Sequence, residues 1–427
     1  MEVKLLMAEM LPSLMVPTSS WLRSTPHRYW LEYQGLRLLD FSKASRLNDG
    51  FGALDNQGKL VPDAQPDTTL TARMTHSYAT AAIRGLPGCR MLATHGVQSL
   101  LGPLRDAEHE GWFGGLTNGR PTETQQRKQN YLHAFISLAA STAVVARLPG
   151  AAQLLEQATS VWETHFWSEE EGVFRESFQA DWSCEEDYRG ANSNMHSVEA
   201  CMALADVTKN PVWRHRALRS AERFIHILAR DSDYAVREHY DRNWTYLADY
   251  NRTRPTDDLR PYGLTPGHFV EWSHLLLKLE AALLRESGTA PAWLLTDSIA
   301  LFDRGIAAGW SRNGRPGLLY TVNNDIEPAV ENRPHWVQAE ALTAAAALLK
   351  RTGNVKYETW YQTLWDYIDL YMFDRHNGGW FQELDGENRP SEVVYAGKAD
   401  LYHAWQSTLT PLLPLSPSFA TAVQALF

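Results

Sequence analysis

The chain lacks several motifs that mark common classes of protein. Its three cysteines, Cys89, Cys184 and Cys201, are odd in number and have no metal-type spacing. We therefore expect no disulfide framework, and a reducing, cytoplasmic location. No glycine-rich phosphate loop precedes a helix, and no His-Glu-x-x-His sequence occurs. These absences argue against a nucleotide site and against a zinc site.

Long apolar runs and an excess of basic residues are also missing. No stretch approaches the length of a bilayer span, and 50 acidic residues outnumber 40 basic ones, for a net charge of −10. We expect neither a membrane nor a nucleic-acid partner. Residues 1–17 have no basic n-region and no small-residue cleavage site. Residues 1–20 are predicted to be a disordered or loosely packed extension, and no linker divides the single domain expected at 21–427.

What the chain does contain is a repeated turn, in which glycine adjoins an aromatic or apolar residue about every 60 residues. The turns lie at 49–52, 110–115, 171–174, 313–320 and 377–381. The wider gap between the third and fourth turns leaves room for one more unit around 234–239. The spacing therefore predicts six units.

Between the turns, helical patterns of two kinds alternate. Segments such as 154–162, 218–228 and 360–371 repeat apolar residues every three to four positions, which is typical of an amphipathic helix. Segments 134–146 and 339–349 are apolar nearly all round and are predicted to be buried on every side. Six outer–inner pairs closed in a ring predict an all-α (α/α)6 barrel with short β-hairpins in the loops between helices.

Polar and aromatic residues gather where the inner helices are predicted to begin. Unpaired polar groups are costly at a buried helix, so a shared pocket explains them together. Each also has a structural interpretation: Asn192 and Asn194 can cap a helix, and His76 and His133 can be buried, hydrogen-bonded histidines. The residues are Arg73, His76, Asn130, Tyr131, His133, Asn192, Asn194, His196, His268, Glu271, Trp272, Trp336, Gln338, Glu340, Asp400, Tyr402, His403 and Trp405.

Two histidines have the setting of acid/base groups. In Thr-Pro-Gly-His-Phe-Val-Glu-Trp at 265–272, Thr265 suits the N-cap and the following proline suits the first helical position. His268 then falls in the first turn, where the helix dipole favours the neutral ring, and Glu271 is predicted to orient it. His403 has a similar place in the last unit. The same His-x-x-Glu spacing can hold a metal in helical bundles, but a positive helix end disfavours a cation, so no metal or other cofactor is predicted.

Several segments resemble those of the N-acylglucosamine 2-epimerase superfamily, and within it the aldose–ketose isomerase branch. The resemblance runs from Trp21 to the C-terminus and implies the same (α/α)6 fold. The segments are Thr-Ala-Arg-Met at 71–74, Arg-Gly-Ala-Asn-Ser-Asn-Met-His-Ser-Val-Glu-Ala at 189–200, the stretch 265–272 quoted above, Gly-Gly-Trp-Phe-Gln-Glu at 378–383, and Gly-Lys-Ala-Asp-Leu-Tyr-His at 397–403.

The resemblance implies metal-independent conversion of an aldose to its 2-ketose through a cis-enediol. His268 and His403 would be the catalytic pair, because both a C2-to-C1 proton shuttle and oxygen protonation need groups that titrate near neutrality. We assign the shuttle to His403 and ring opening to His268, and the reverse assignment stays open. The sugar would be bound by Arg73, Tyr131, Asn192, His196, Glu271, Trp336, Glu340 and Trp405.

The expected substrate is a neutral monosaccharide, with D-mannose giving D-fructose and D-lyxose giving D-xylulose. The related isomerases of sulfoquinovose carry a basic residue in the loop before the Thr-Pro-Gly-His motif and a Gln before the last Asp. Here that loop contains Asp257 and Asp258, and Ala399 replaces the Gln, although Arg254 and Arg260 leave a sulfonated sugar open. A sugar 2-epimerase, a glycoside hydrolase and an inactive sugar-binding module stay open as well, and so does the formation of a homo-oligomer.

Overall fold

The computed structural model, which describes residues 15–398 and 400–426, is mainly helical, and twelve of its helices form two layers. The even-numbered helices are buried over most of their length, whereas the odd-numbered ones bury a single face. In chain order they are α1 (Thr25–Ser42), α2 (Thr68–Ile83), α3 (Cys89–Leu101), α4 (Asn130–Val145), α5 (Ala151–Val161), α6 (Ala191–Thr208), α7 (Val212–Ala221), α8 (Pro266–Ser287), α9 (Trp293–Gly309), α10 (His335–Thr352), α11 (Val355–Tyr367) and α12 (Tyr402–Leu409).

The packing of these helices confirms the (α/α)6 barrel. Each inner helix packs against the outer helix that follows it and against the inner helices on either side. The last inner helix, α12, packs on the first outer helix, α1, and also on α2, which closes the ring. Apolar residues 151, 154, 158 and 161 are the buried face of outer helix α5, whereas every residue of inner helix α10 from 335 to 350 is buried. The amphipathic sequence pattern thus corresponds to the outer helices, and the apolar pattern corresponds to the inner helices.

The loops carry two-stranded ladders of two kinds. Hairpins join β1 to β2, β4 to β5 and β9 to β10, as predicted, but the other three ladders join neighbouring units: β3 to β6, β7 to β8 and β11 to β12. In these, the strand that leads into an inner helix pairs antiparallel with a strand of the next loop. The strands are β1 (Arg46–Leu47), β2 (Gly50–Phe51), β3 (Lys128–Gln129), β4 (Trp167–Ser168), β5 (Val173–Phe174), β6 (Ser177–Phe178), β7 (Arg189–Gly190), β8 (His239–Tyr240), β9 (Thr321–Val322), β10 (Pro328–Val330), β11 (Arg333–Pro334) and β12 (Glu383–Leu384).

The two ends of the barrel differ. A terminal helix, α13 (Phe419–Leu426), packs against α2, α4 and α6, and Thr421 donates a hydrogen bond of 2.7 Å to Asp206 near the end of α6. This helix covers the end where the inner helices finish. The other end, where they begin, is lined by loops and polar side chains.

The predicted N-terminal extension is only partly within the described residues, since residues 1–14 lie outside them. Between 15 and 20, Val16 and Ser20 are buried, whereas Met15, Thr18 and Ser19 are exposed. Just after this stretch, the backbone N–H of Trp21 donates a 2.9 Å hydrogen bond to Glu358 of α11. Separately, none of the helices within the described ranges is long and apolar enough to cross a bilayer.

The chain enters α8 through Gly263, whose backbone is left-handed (φ +91°). A side chain there would collide with the carbonyl oxygen of Val322, which accepts a 2.8 Å hydrogen bond from the N–H of Leu264. We predict that Gly263→Ala destabilises the fold by the cost of a left-handed alanine, about 1 kcal/mol, plus about 1–3 kcal/mol for the clash.

The control for this prediction is Gly288→Ala at the end of α8. Gly288 is also left-handed (φ +74°) but has open space around it. Its alanine variant should therefore lose only the free energy that a left-handed alanine costs, without the cost of the clash. Urea unfolding of both variants measures the difference. Equal losses of unfolding free energy would contradict the assigned clash.

Candidate active site

Three aromatic rings from three different inner helices meet at the open mouth. The ring of His268 lies 5.1 Å from that of Trp336, and the ring of His403 lies 5.8 Å from the same indole, centroid to centroid. His268 is in the first turn of α8, whose first residue is Pro266, as predicted. Thr265 occupies the N-cap position, but its hydroxyl makes no capping bond. The circular arrangement of the inner helices therefore brings together two histidines that are far apart in sequence.

His268 is oriented by Glu238 rather than by Glu271, which corrects the sequence-based expectation. Its Nδ1 lies 2.8 Å from Oε1 of Glu238, and the carboxylate is 2% exposed. A carboxylate only accepts, so Nδ1 carries the proton and donates it. Nε2 of His268 has no hydrogen-bond partner among the described residues and is left as the basic nitrogen.

His403 has an equivalent partner in Glu340 of α10. Its Nδ1 lies 2.7 Å from Oε1 of Glu340, and Nε2 of His274 lies 2.6 Å from the other oxygen, Oε2. Burial alone would raise the pKa of Glu340, but the hydrogen bonds from His274 and His403 hold it well below its usual range. Glu340 is therefore an ionised carboxylate shared by two imidazoles.

Arg73 supplies a fixed positive charge on the opposite side of the mouth. Its guanidinium donates to Asp400 and to the Tyr131 hydroxyl, both at 2.6 Å, and it stacks 4.3 Å from the Phe135 ring. Burial opposes the charge, but Tyr131, Asp400 and Tyr402 raise the pKa of Arg73 above its usual value. Arg73 thus stays protonated next to the cavity.

Two further buried carboxyl groups, those of Glu199 and Glu271, differ in the hydrogen-bond donors that they meet. Glu199 accepts from Tyr402 at 2.5 Å and lies 3.4 Å from Nδ1 of His196. Burial raises the pKa of Glu199, but His196, Lys278 and Tyr402 together outweigh burial and bring the pKa to about 2. Within the described part of the chain, Oε2 of Glu271 has no hydrogen-bond partner. Burial and the nearby charges of Glu340 and Glu199 raise the pKa of Glu271 well above the usual value.

One cluster within the described residues has the spacing of a cation site. Glu271, Glu340 and His403 each offer one ligand atom, and the three atoms lie within 4.8 Å of one another. The imidazole proton of His403 already occupies one oxygen of Glu340, and Arg73 acts on Glu271 with its own positive charge. These residues serve each other as hydrogen-bond and charge partners.

A cleft of about 520 Å³ is lined by Tyr131 and Asn192 of the polar set. Asn192 donates to the carbonyl of Leu259 at 3.2 Å, and its buried Oδ1 has no partner. Asp258 also lines the cleft; burial raises the pKa of its carboxyl, and Arg73 partly offsets that rise.

Arg260, in the same loop, is fully engaged. It donates to both oxygens of Glu186, at 2.8 and 3.0 Å, and to Glu176 at 3.2 Å. Arg254 is largely exposed, 3.8 Å from Asp257. Ala399, the other position that bears on a sulfonated substrate, lies outside the described residues.

Several residues predicted at the mouth lie elsewhere. Trp405 is fully buried, and its indole edge faces Gly35 of α1, on the outer side of α12, so its assignment to the sugar site is wrong. Asn194 does not cap the helix. Its Oδ1 accepts a 2.8 Å hydrogen bond from the N–H of the loop residue Phe174, and its Nδ2 donates a 3.0 Å hydrogen bond to the carbonyl of the same residue. His76 and His133 are buried and hydrogen-bonded through Nδ1 to Thr142 and Gln129 respectively.

The sequence motifs did not identify Glu238 as a site residue, although its position within the repeated unit could have indicated it. The carbonyls of Glu176, Glu238 and Gln382 accept the first backbone N–H of α4, α6 and α10, at 2.8 to 3.0 Å. The three residues therefore occupy equivalent positions in three of the six units. Their side chains reach forward to the next inner helix: Glu176 to Ser193, Glu238 to His268, and Gln382 to the Asp400 carbonyl.

This fold and site define a known class of protein. The sequence model of the N-acylglucosamine 2-epimerase (GlcNAc 2-epimerase) family matches residues 50–407, and the chain belongs to that family, as its motifs indicated.

Proteins similar to this chain include isomerases of D-mannose. The D-mannose isomerase of Pseudomonas cannabina pv. alisalensis is 50% identical, over 96% of this chain and 98% of its own length. That of Thermobifida fusca is 46% identical, over 94% and 98%. A crystal structure of a D-mannose isomerase matches with a TM-score of 0.83 and 28% identity, covering 90% of this chain and 97% of that one.

The buried histidines make the folded state sensitive to mild acid. Burial lowers the pKa of His133 to about 3 and that of His76 to about 4, from an ordinary 6.5. At a pH between the folded pKa values and the ordinary value of 6.5, the unfolded chain binds protons at these histidines that the folded chain does not. The stabilisation is complete above pH 6.5 and is lost as the pH falls toward the folded pKa. We predict that the free energy of unfolding decreases from pH 6.5 to pH 4.

His133→Gln should flatten this dependence by up to one proton, or about 1.4 kcal/mol per pH unit. The control is His215→Gln, at an exposed position of α7, which should keep the wild-type slope. Urea titrations at several pH values measure the slopes. The same slope in the His133 variant and in the wild type would refute the assigned cause.

Proposed function

We propose that this protein is an aldose–ketose isomerase that converts D-mannose to D-fructose, and D-lyxose to D-xylulose. The observation that carries the proposal is the pair His268 and His403, each held through Nδ1 by a buried carboxylate beside one indole. Such a pair provides two acid/base nitrogens at one cavity. The D-mannose isomerases among the relatives support the choice of reaction and sugar.

The proposed reaction moves protons between neighbouring atoms of the open-chain sugar. Nε2 of His403 takes the C2 proton, which leaves the cis-enediol as its O1 anion. His403 then returns its proton to C1 on the same face as the C2 carbonyl forms, and the bare Nε2 of His268 relays the O2 proton to O1. His268 also moves the proton from O1 to O5 that opens the ring. The two nitrogens end the cycle in their starting states.

Arg73 stabilises the negative charge that develops on O1 and O2 during enolisation, because it is held ionised in a buried setting. Trp336 contacts both imidazoles and provides an apolar surface beside the C1–C2 bond. The other residues proposed to bind the sugar are Tyr131, Asn192, His196, Glu271 and Glu340. No metal or other cofactor is invoked, because carboxylate-held imidazoles and Arg73 supply the proton transfer and the charge.

A neutral sugar fits the charges of the cleft better than a sulfonated one. The basic residue best placed to meet a sulfonate, Arg260, already has the carboxylates of Glu176 and Glu186. Asp258 lines the same cleft and would repel an anion. We place the reaction in the cytoplasm, in keeping with the three free cysteines.

Incubation with D-mannose in deuterated buffer containing excess EDTA tests the function. We expect D-fructose as the product, observed by NMR, at the rate found without EDTA. Glucose as the main product would indicate a 2-epimerase instead. Faster turnover of sulfoquinovose, cleavage of oligosaccharides, or loss of activity with EDTA would each contradict the proposal.

The roles of the histidines predict large kinetic losses on substitution. His268→Ala and His403→Ala should each lower kcat by about 10²-fold or more, as is typical for loss of a general acid or base. Glu238→Gln should also lower kcat, because an amide that donates to Nδ1 would reverse the tautomer of His268.

The matched control is His215→Ala on the outer surface, which should keep the wild-type kcat. Steady-state kinetics with D-mannose, on variants with unchanged circular dichroism, provide the comparison. Near-normal kcat in either histidine variant would refute the pair.

A further inference from the structure

One buried histidine close to the site has no role in the proton transfers described above. His274 lies on α8 two turns from its start, is 4% exposed, and donates Nε2–H to Oε2 of Glu340 at 2.6 Å. Its other ring nitrogen, Nδ1, is buried and has no hydrogen-bond partner among the residues that the structure describes. Because Nε2 is bound to Glu340 and Nδ1 is buried, neither nitrogen can contact a sugar.

We propose that His274 is a positioning residue for His403, acting through the carboxylate of Glu340. The inference rests on the proposed function for its kinetic consequence, but its structural core concerns only the three side chains. His274 fills one oxygen of Glu340, so the other oxygen remains a charged acceptor for the Nδ1–H of His403. The Nε2 lone pair of His403 is then directed at the C2 proton.

The protonation states follow from the hydrogen bonds. Because an ionised carboxylate only accepts, Nε2 of His274 carries its proton. A second proton on Nδ1 would be a buried donor without a partner, which is costly, so His274 is neutral. Burial also lowers its pKa, and the charge of Lys278, one turn further along α8, acts in the same direction.

Loss of the His274 donor would leave Oε2 of Glu340 as a buried acceptor without a partner. A proton would bind Glu340 more readily, since its carboxylate is 5% exposed and would keep only one of its two hydrogen-bond donors. A protonated Glu340 can donate to Nδ1 of His403. That reversal places the His403 proton on Nε2, where the nitrogen can no longer act as the base.

Two substitutions separate this role from simple packing. His274→Leu removes the donor, whereas His274→Gln keeps an amide N–H at the reach of Nε2. We expect the leucine variant to lose about 10- to 100-fold in kcat, as is typical when the partner of a functional histidine is removed, with little change in KM. The glutamine variant should recover kcat close to wild type. The control is His133→Leu, another buried histidine of an inner helix, whose partner is the Gln129 carbonyl; its kcat should be unchanged.

A second readout does not depend on turnover. NMR of the ¹⁵N-histidine-labelled protein distinguishes protonated from bare ring nitrogens, with His403→Ala and His274→Leu used for assignment. In the wild type we expect His403 to carry its proton on Nδ1 and His274 on Nε2. In His274→Leu the His403 signals should shift toward the opposite tautomer, while those of His268, bound to Glu238, stay in place.

The outcomes distinguish the two proposals. A protein that does not convert mannose but shows the expected tautomers, and their shift in His274→Leu, would sustain the positioning role and refute the proposed substrate. A mannose isomerase whose His274→Leu variant keeps wild-type kcat, or whose glutamine variant is as impaired as the leucine variant, would overturn the positioning role. If the leucine variant fails to fold, an imidazolium or an Nδ1-protonated His274 in the wild type would overturn it equally.

Discussion

The site depends on one backbone interaction that is repeated around the ring. The first N–H of an inner helix is bound by a carbonyl of the following loop, as with Glu176, Glu238 and Gln382. In these three units the side chain of the same residue also reaches the next unit, so the residue ties two neighbouring units together. The side chain of Glu238 meets His268 in the first turn of α8, so a residue that ties neighbouring units together also orients this imidazole.

The interior charges form a second layer of organisation. A buried carboxylate is stable as an ion only if donors meet its oxygens. Glu340 meets His403 and His274, and Glu199 meets Tyr402 and His196. Glu271 has no such donor, and it is the one carboxyl of the three whose pKa rises. The cluster thus sets which groups at the mouth are charged, with Arg73 fixed as the cation.

The sequence predicted the barrel because its signals were local and repeated. Glycine-containing turns, an amphipathic outer pattern and an apolar inner pattern each follow from the periodicity of a helix, and their alternation leaves a closed ring as the packing solution. It placed His268, His403 and Arg73 at the mouth for the same reason, since residues at a helix start share one end of the ring.

The errors arose where side-chain direction across units decides the contact. Trp405 follows His403 by two residues, which is about 200° around a helix, so an inward histidine requires an outward tryptophan. Glu271 is one turn from His268, yet Glu238 from another unit is the partner. His274 reaches Glu340 on a neighbouring helix. Such contacts depend on how the inner helices are rotated in the ring, which no single segment of sequence specifies.

In the proposed reaction, two carboxylate-held imidazoles face one sugar from either side of its C1–C2 bond. A crystal structure of the protein with the open-chain analogue D-mannitol tests it directly. We predict that the hydroxyls on the first two carbons lie within hydrogen-bonding distance of Nε2 of both His268 and His403, with Arg73 near the same oxygens. Mannitol bound in the adjoining cleft beside Asp258 and Arg260, with either Nε2 out of contact, would contradict the account.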